Sequence, residues 1–304
     1  MHRSPAFSWS TVPLIVLAAW LLPAWAASPP RDLEQIRASG VLRHLGIPYA
    51  NFVTGTGVGL DVELVKGFAD SLGVRYEFVE TTWSSGFGDL TGRNAQMDET
   101  GGVEWHGEAP IRGDILASGV TILPWRQGVA DFSAPTFPTG VWLVARADSD
   151  LSPISPSGST QQDIAQVRSA LRGRTVLTLK NTCLDPDLYR LTDTGATAIF
   201  PRLDIKLNEV APALLNGEAD TALLDVPDTL IALEKWPGQI KVIGPISAQQ
   251  FMAAAFRKDS PRLREAFDAY LQRIRRDGTY HDLVKKYFET VFPYFSEFFQ
   301  PRPD

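Results

Sequence analysis

The chain has 304 residues, and 35 acidic against 29 basic side chains give it a formal charge of −6. Mild acidity with scattered Lys and Arg argues against nucleic acid as a partner. Its single cysteine, Cys183, excludes an intrachain disulfide, so stability must come from core burial, and the length suggests two lobes.

Met1 to Ala26 reads as a secretory signal. His2 and Arg3 form a basic start, Val12 to Leu22 is a nearly unbroken apolar run, and Ala24-Trp25-Ala26 fits a small-x-small cleavage site. The run is short for a membrane span, so cleavage near Ala26 and a soluble, exported, periplasmic chain are expected, with an uncleaved anchor as the alternative.

Leu33 to Ser39 is a short amphipathic helix ended by Gly40, and Val41 to Leu45 is a strand. After a glycine turn, Asp61 is expected to cap a helix whose Leu64, Val65, Phe68 and Leu72 share a face, and Gly73 stops it. Val74 to Glu80 alternates as a second strand, which makes a strand–helix–strand unit and favours a parallel sheet. Residues 83–113 have no clear period and are read as a long surface excursion or hairpin. Strands are expected at Ile115 to Leu123 and Val141 to Arg146, followed by a Ser/Pro-rich connection. A second alternation then runs to Ile243, with helices at Gln162 to Leu171, Pro186 to Leu191, Asn208 to Leu215 and Thr229 to Lys235. Two long helices, Pro261 to Arg276 and Tyr280 to Val291, precede an aromatic tail expected to pack on a lobe surface. Two α/β alternations with a return to the first imply two lobes and two crossings.

The stretch GDILASGVTILPWRQGVADFS puts Arg126 after an apolar segment and a Pro, with Ser118, Gly119 and Thr121 just ahead. A guanidinium fork fits a carboxylate bidentately, and hydroxyls and backbone N–H groups can complete the shell. A surface Arg at the end of a strand is the plainer reading. Asp225, before Val226-Pro227, can equally be a helix N-cap, and Tyr49 and Phe52 can be ordinary core aromatics. No Ser-His-Asp order, P-loop or dinucleotide fingerprint is present, no metal site is expected from the dispersed histidines, and no cofactor is implied.

The segments LRHLGIPYANF, GLDVELVKGFADSLGVRYEFV, GDILASGVTILPWRQGVADFSAPTF, LRGRTVLTLKNTC, LLNGEADTALLD and LREAFDAYLQRIRRDGTYHDLVKKY resemble, in order and spacing, the family 3 extracellular solute-binding proteins. The resemblance spans Leu33 to Phe288. It implies the α/β type II periplasmic-binding fold, two lobes with a two-strand hinge and an interlobe cleft: lobe 1 from 27–140 and 247–304, with the 83–113 excursion, and lobe 2 from 141–246. It also implies a monomer that takes a small amino acid-like ligand and hands it to the membrane permease of an ABC transporter. By position, Arg126 is implied to clamp the ligand carboxylate, Thr121 and Gly119 to support it, and Thr182 to cap it from lobe 2. Asp225 is implied to pair with the ammonium, and Tyr49, Phe52 and Trp83 to line the cleft. Asn181 departs from the family's usual Gly before Thr182, so the turn there is in question, and the excursion exceeds the family's usual length. The resemblance leaves two rivals: a cyclohexadienyl dehydratase, for which Glu104, His106 or Glu108 would supply the acid, and a sensing module for a membrane partner.

Overall fold

The structure is a computed structural model, and it describes residues 31–55, 57–201 and 207–300. The expected signal segment lies outside the described residues.

Helix α1 (Leu33–Ser39) is set by a capping box: Asp32 accepts the Leu33 N–H at 2.8 Å, Gln35 reaches back to the Asp32 N–H, and Gly40 ends the helix in the left-handed conformation. Strand β1 (Val41–Gly46) leads through the Tyr49 loop to α2 (Leu60–Leu72) and β2 (Arg75–Glu80), which pairs parallel to β1. The N-cap of α2 is Gly59 rather than the expected Asp61, which lies inside the first turn and is buried.

Residues 83–113 are folded, with a short helix α3 (Gly86–Thr91) before an antiparallel hairpin of β3 (Arg93–Met97) and β4 (Val103–Glu108). Ala95, Met97 and Val103 pack on the cluster around Trp125 and Val129, while Glu104 to Glu108 face solvent. A sheet with one wet face alternates only weakly when its inward residues are this few, which is why no period is visible.

The expected strand over Ile115 to Leu123 shortens to β5 (Ile115–Leu116), because Gly119 turns the chain at φ +60° and Pro124 opens α4 (Pro124–Val129). Strands β6 (Asp131–Phe132), β7 (Phe137–Thr139) and β8 (Val141–Arg146) follow. The second half continues with α5 (Thr160–Ser169), β9 (Thr175–Leu177), 3-10 turns at Pro186–Tyr189 and Leu191–Thr194, and β10 (Thr197–Ile199). Next come α6 (Val210–Leu215), β11 (Thr221–Asp225), α7 (Val226–Lys235) and β12 (Ile240–Pro245). The chain closes with β13 (Gln250–Met252), β14 (Ala255–Phe256), α8 (Pro261–Arg276), α9 (Thr279–Phe288) and α10 (Ser296–Phe299).

Two five-stranded sheets result, with orders β2-β1-β5-β14-β6 and β10-β9-β11-β8-β12. Between them β7 and β13 form an antiparallel ladder, Thr139 opposite Gln250 and Phe137 opposite Met252, where the chain crosses outward and back. Central β11 is buried along its whole length between β8 and β9, which explains its nearly continuous apolar run TALL and carries Asp225 into the interior. The aromatic tail packs over this junction, Phe299 on Phe137, Phe298 on Phe251 and Tyr294 on Trp142, with ring centroids 5.9–6.0 Å apart. No described helix is long and apolar enough to cross a membrane.

Candidate ligand cleft

Two buried, oppositely charged side chains face the junction of the sheets from different halves. From the first half, α4 presents Arg126, which is 1% exposed. Its Nη1 donates to the Thr121 carbonyl at 3.0 Å, and its Nη2 reaches the Asn181 carbonyl of the second half at 3.5 Å. The rings of Trp83, Phe87 and Trp125 surround the guanidinium at 5.4–5.7 Å. Among the described residues no carboxylate pairs with it, and its Nε and the Trp125 Nε1 have no acceptor. Burial lowers the Arg126 pKa to about 10. A desolvated cation with a spare donor is an incomplete arrangement that an anion completes.

From the second half, the end of β11 presents Asp225, also 1% exposed. Both readings of this residue hold in the geometry. Oδ1 caps α7 by accepting the Asp228 N–H at 3.1 Å. Oδ2 faces the other half, accepting the Tyr49 hydroxyl and, at 3.5 Å, the Cys183 thiol. Burial raises the Asp225 pKa to about 6. Burial and the neighbouring Asp225 push Asp228 well above the usual carboxylate range, and burial first, then the nearby acids, pushes the Tyr49 phenol up.

The remaining expected site residues divide. The Thr121 hydroxyl is buried without a hydrogen bond of ordinary geometry and lies beside the Cys183 thiol. Trp83 lies edge-on to Tyr49, with ring centroids 5.7 Å apart, and under Arg126, so it joins the two first-half residues that face the second half. Thr182 is committed to its own turn, donating to the Leu179 carbonyl at 2.8 Å and accepting the Leu184 N–H at 3.0 Å. Asn181 keeps the turn that Gly normally makes by taking φ +60°, and its N–H is held by Asp185 at 2.8 Å.

Gly119 and Phe52 sit behind the cleft rather than lining it. The Gly119 N–H donates to buried Asp61 at 2.6 Å. The Phe52 ring stacks on the back of Tyr49 at 5.7 Å and packs on Phe137 and Phe288, as an ordinary core aromatic would. A Cβ at Gly119 would lie 2.5 Å from Phe52, so the glycine lets the ring that supports Tyr49 come close.

Sequence reasoning missed the contacts of Phe87, the Asn181 carbonyl and Asp228. The last had a signal, a second acid in the first turn of the helix that Asp225 starts. Asp228 lines a cavity of about 200 Å³ beside the cleft. A second cavity, of about 280 Å³, lies between the hairpin tip (Gln96, Asp98, Glu104) and the turn carrying Lys180 and Asp185. Among the described residues no cluster of three His, Cys, Asp or Glu side chains suits a metal.

Two α/β halves joined by a short two-strand ladder, with an unpaired cation on one and an anion on the other, define a cleft-binding protein of the type II periplasmic-binding fold. The chain belongs to the bacterial extracellular solute-binding proteins, family 3, whose profile matches residues 111–290. It is 27% identical over 290 residues to a membrane-bound lytic murein transglycosylase F of Desulfosudis oleivorans, covering 92% of this chain and 56% of that protein. It is 26% identical over 239 residues to the amino-acid-binding protein AabA of Dichelobacter nodosus, covering 77% and 80%. The chain thus spans about half the length of the transglycosylases it matches. Among solved structures, a P235GK mutant of ArgBP from T. maritima superposes with a TM-score of 0.64 at 25% identity, covering 84% of this chain and 99% of that one. The ancestral amino acid-binding protein AncCDT-1, described as a precursor of cyclohexadienyl dehydratase, shares the fold with a TM-score of 0.62 at 24% identity, covering 84% and 98%.

Proposed function

We propose that this chain captures a small zwitterion, an amino acid or close relative, between its lobes in the periplasm and passes it as a monomer to the permease of an ABC transporter. The observation that carries the reading is Arg126, buried with no acid among the described residues to neutralise it, on the opposite half from Asp225. The ligand carboxylate takes the free donor edge of Arg126 with the Thr121 hydroxyl. The ligand ammonium takes Asp225 Oδ2 in place of the Tyr49 hydroxyl. Both ends are satisfied only when the halves meet, so the ligand favours closure by its differential affinity. Hydrogen bonds to charged groups contribute roughly 1.5–3 kcal/mol each, and three or four of them less ordering costs suit a micromolar constant, about −8 kcal/mol. The names of the amino-acid-binding relatives support the same ligand class. We assign the lobes to 27–140 with 247–304 and to 141–246, with the signal cleaved near Ala26.

The test is a thermal-shift screen of the mature protein against the common amino acids. A ligand should raise the melting temperature by mass action, and Arg126→Ala should abolish the rise. A screen without a single stabilising zwitterion sinks the reading.

A second reading, a ligand-sensing module, is favoured by one observation: 91–92% of this chain matches half of several membrane-bound proteins. Deletion of the chain distinguishes the two, since a transport component loses uptake of the ligand and a sensor does not. The dehydratase alternative needs an acid against the ligand ring, whereas Glu104, His106 and Glu108 are all exposed on the hairpin. Turnover of prephenate or arogenate by the purified protein would move the assignment to that enzyme.

A further inference from the structure

Residues 292–299 read FPYFSEFF, five aromatic side chains in eight residues, just past the end of the family match at residue 290. Rings at this density leave water only by packing on one another or on a neighbouring surface. Phe292 packs on His281 and Phe299, with ring centroids 4.7 and 4.9 Å apart, and Phe299 on Tyr280 at 6.4 Å, which ties the tail to α9. Phe299 and Phe298 then lie on the two crossing strands, at Phe137 of β7 and Phe251 of β13. Beyond the crossing, Tyr294 meets Trp142 of β8, and the turn Glu289–Val291 lies against α7 with Val291 fully buried. One short segment therefore touches the first half, both crossing strands and the second half.

A file of rings fixes the place of the tail relative to the cleft. Tyr49, which bonds Asp225, stacks on Phe52, Phe52 meets Phe137 at 5.1 Å, and Phe137 meets Phe299. The tail thus covers the crossing on the side away from the cleft. The approach to the crossing is pinned to the first half. Arg275 of α8 lies over Tyr280 and Phe298 and donates to the Pro135 carbonyl, and the Tyr280 hydroxyl donates to the Thr136 carbonyl. Rotation of one half against the other then falls on the short ladder of Phe137–Thr139 with Gln250–Met252. Parting the cleft faces about that ladder drives the opposite faces together, into the volume the tail rings fill, and packed side chains yield little volume.

We infer that the aromatic tail is a strap behind the crossing that holds the halves in the arrangement described above, Arg126 on Asn181 and Tyr49 on Asp225, before any ligand is bound. The open-to-closed ratio it sets scales the apparent affinity of whatever the cleft takes. The inference goes beyond the zwitterion reading and does not depend on it.

The test is a pulsed-EPR distance measurement on ligand-free protein with spin labels at Glu99→Cys and Asp187→Cys. Both positions are exposed, and they face each other from opposite halves across the cavity at the hairpin tip, while the native Cys183 is buried. With the tail intact the short distance should dominate. Tyr294→Ala removes a ring that is 56% exposed and rests on Trp142, and it should raise the ratio of long to short distances about threefold or more. Phe298→Ala with Phe299→Ala, which frees both crossing strands, should raise it at least about tenfold. Glu297→Ala, exposed on the same tail, should leave the distribution unchanged. A tail that merely packs on its own half would lower the denaturation midpoint of the double variant and leave the distances alone, and that result overturns the inference. A tail-intact protein already dominated by the long distance, or a shift to shorter distances on losing the rings, overturns it too. Should the double variant fail to fold, the exposed Tyr294→Ala decides, and an unaltered distribution there is fatal.

Discussion

Replacing Arg126 by Met separates a ligand-binding arginine from a structural one. Removing one member of a buried ion pair costs about 3–5 kcal/mol, because the partner charge is left buried alone. Arg126 has no such partner among the described residues. Its guanidinium is held at a pKa of about 10 by burial, against an ordinary value near 12.5, and at about 1.4 kcal/mol per unit this is roughly 3 kcal/mol of strain in the charged form. Against that stand a hydrogen bond to the Thr121 carbonyl, roughly 1.5–3 kcal/mol, a longer and weaker one to the Asn181 carbonyl at 3.5 Å, and ring contacts worth about 0.5–2 kcal/mol. Met keeps the apolar stem against Trp83, Phe87 and Trp125 and leaves no donor unpaired. The opposing contributions nearly cancel, so the ligand-free Arg126→Met protein should unfold within about 2 kcal/mol of wild type. The measurement is urea denaturation with and without a stabilising amino acid. Ligand-dependent stabilisation should vanish while ligand-free stability holds. A loss above about 3 kcal/mol without ligand, with the ligand effect retained, would refute the argument, because it would mean a hidden buried partner.

Asp61 supplies a pH signature. Burial raises its pKa to about 7, with only the Gly119 N–H to offset it. Native protein therefore holds this proton where the unfolded chain has released it, so its contribution is complete below about pH 4 and fades as pH rises to about 7. The stability difference between wild type and Asp61→Asn, read from urea midpoints, should fall by about 4 kcal/mol over that interval, and a flat difference contradicts it. Gly119→Ala should destabilise by more than about 2 kcal/mol, since a Cβ there meets the left-handed φ of +60° and the Phe52 ring at 2.5 Å; an unchanged denaturant midpoint refutes this. Cys183, whose thiol burial and Asp225 push well above its usual pKa, should react with a thiol reagent only as fast as the protein opens. Rapid labelling of the native protein at pH 8 would contradict that placement.

Much of the fold is written in local signals. Gly40, Gly73 and the periodic faces of α2 and α8 mark those elements because capping and amphipathicity act over a few residues. The hairpin at 93–108, expected only as one reading of a long excursion, shows no period because its inward face borrows a surface made by Trp125 and Val129, more than fifteen residues further on. The family resemblance singled out Arg126 and Asp225, and both are buried side chains at the junction of the sheets. The roles of Phe52 and Gly119 were not legible, because facing the cleft and supporting a residue that faces it differ only by the packing of Tyr49. Asn181 shows the limit of reading by residue type, since Asn tolerates the left-handed turn well enough to replace Gly there.

Tyr49 gives the cleft a reference state against which a ligand must compete. Its hydroxyl occupies Asp225 Oδ2, and on the other side of the cleft the Asn181 carbonyl occupies one edge of Arg126. Both substitutes are neutral, so each satisfies geometry without cancelling charge. A ligand that brings a full positive charge to Asp225 and a full negative charge to Arg126 exchanges hydrogen bonds with one ionised partner for bonds with both partners ionised, which add Coulomb attraction in a buried site. A neutral amide or alcohol of the same size makes no such exchange. On the proposed function, a preference for zwitterions over uncharged analogues is expected from the contacts the halves already make with each other, before any contact to the ligand side chain is counted.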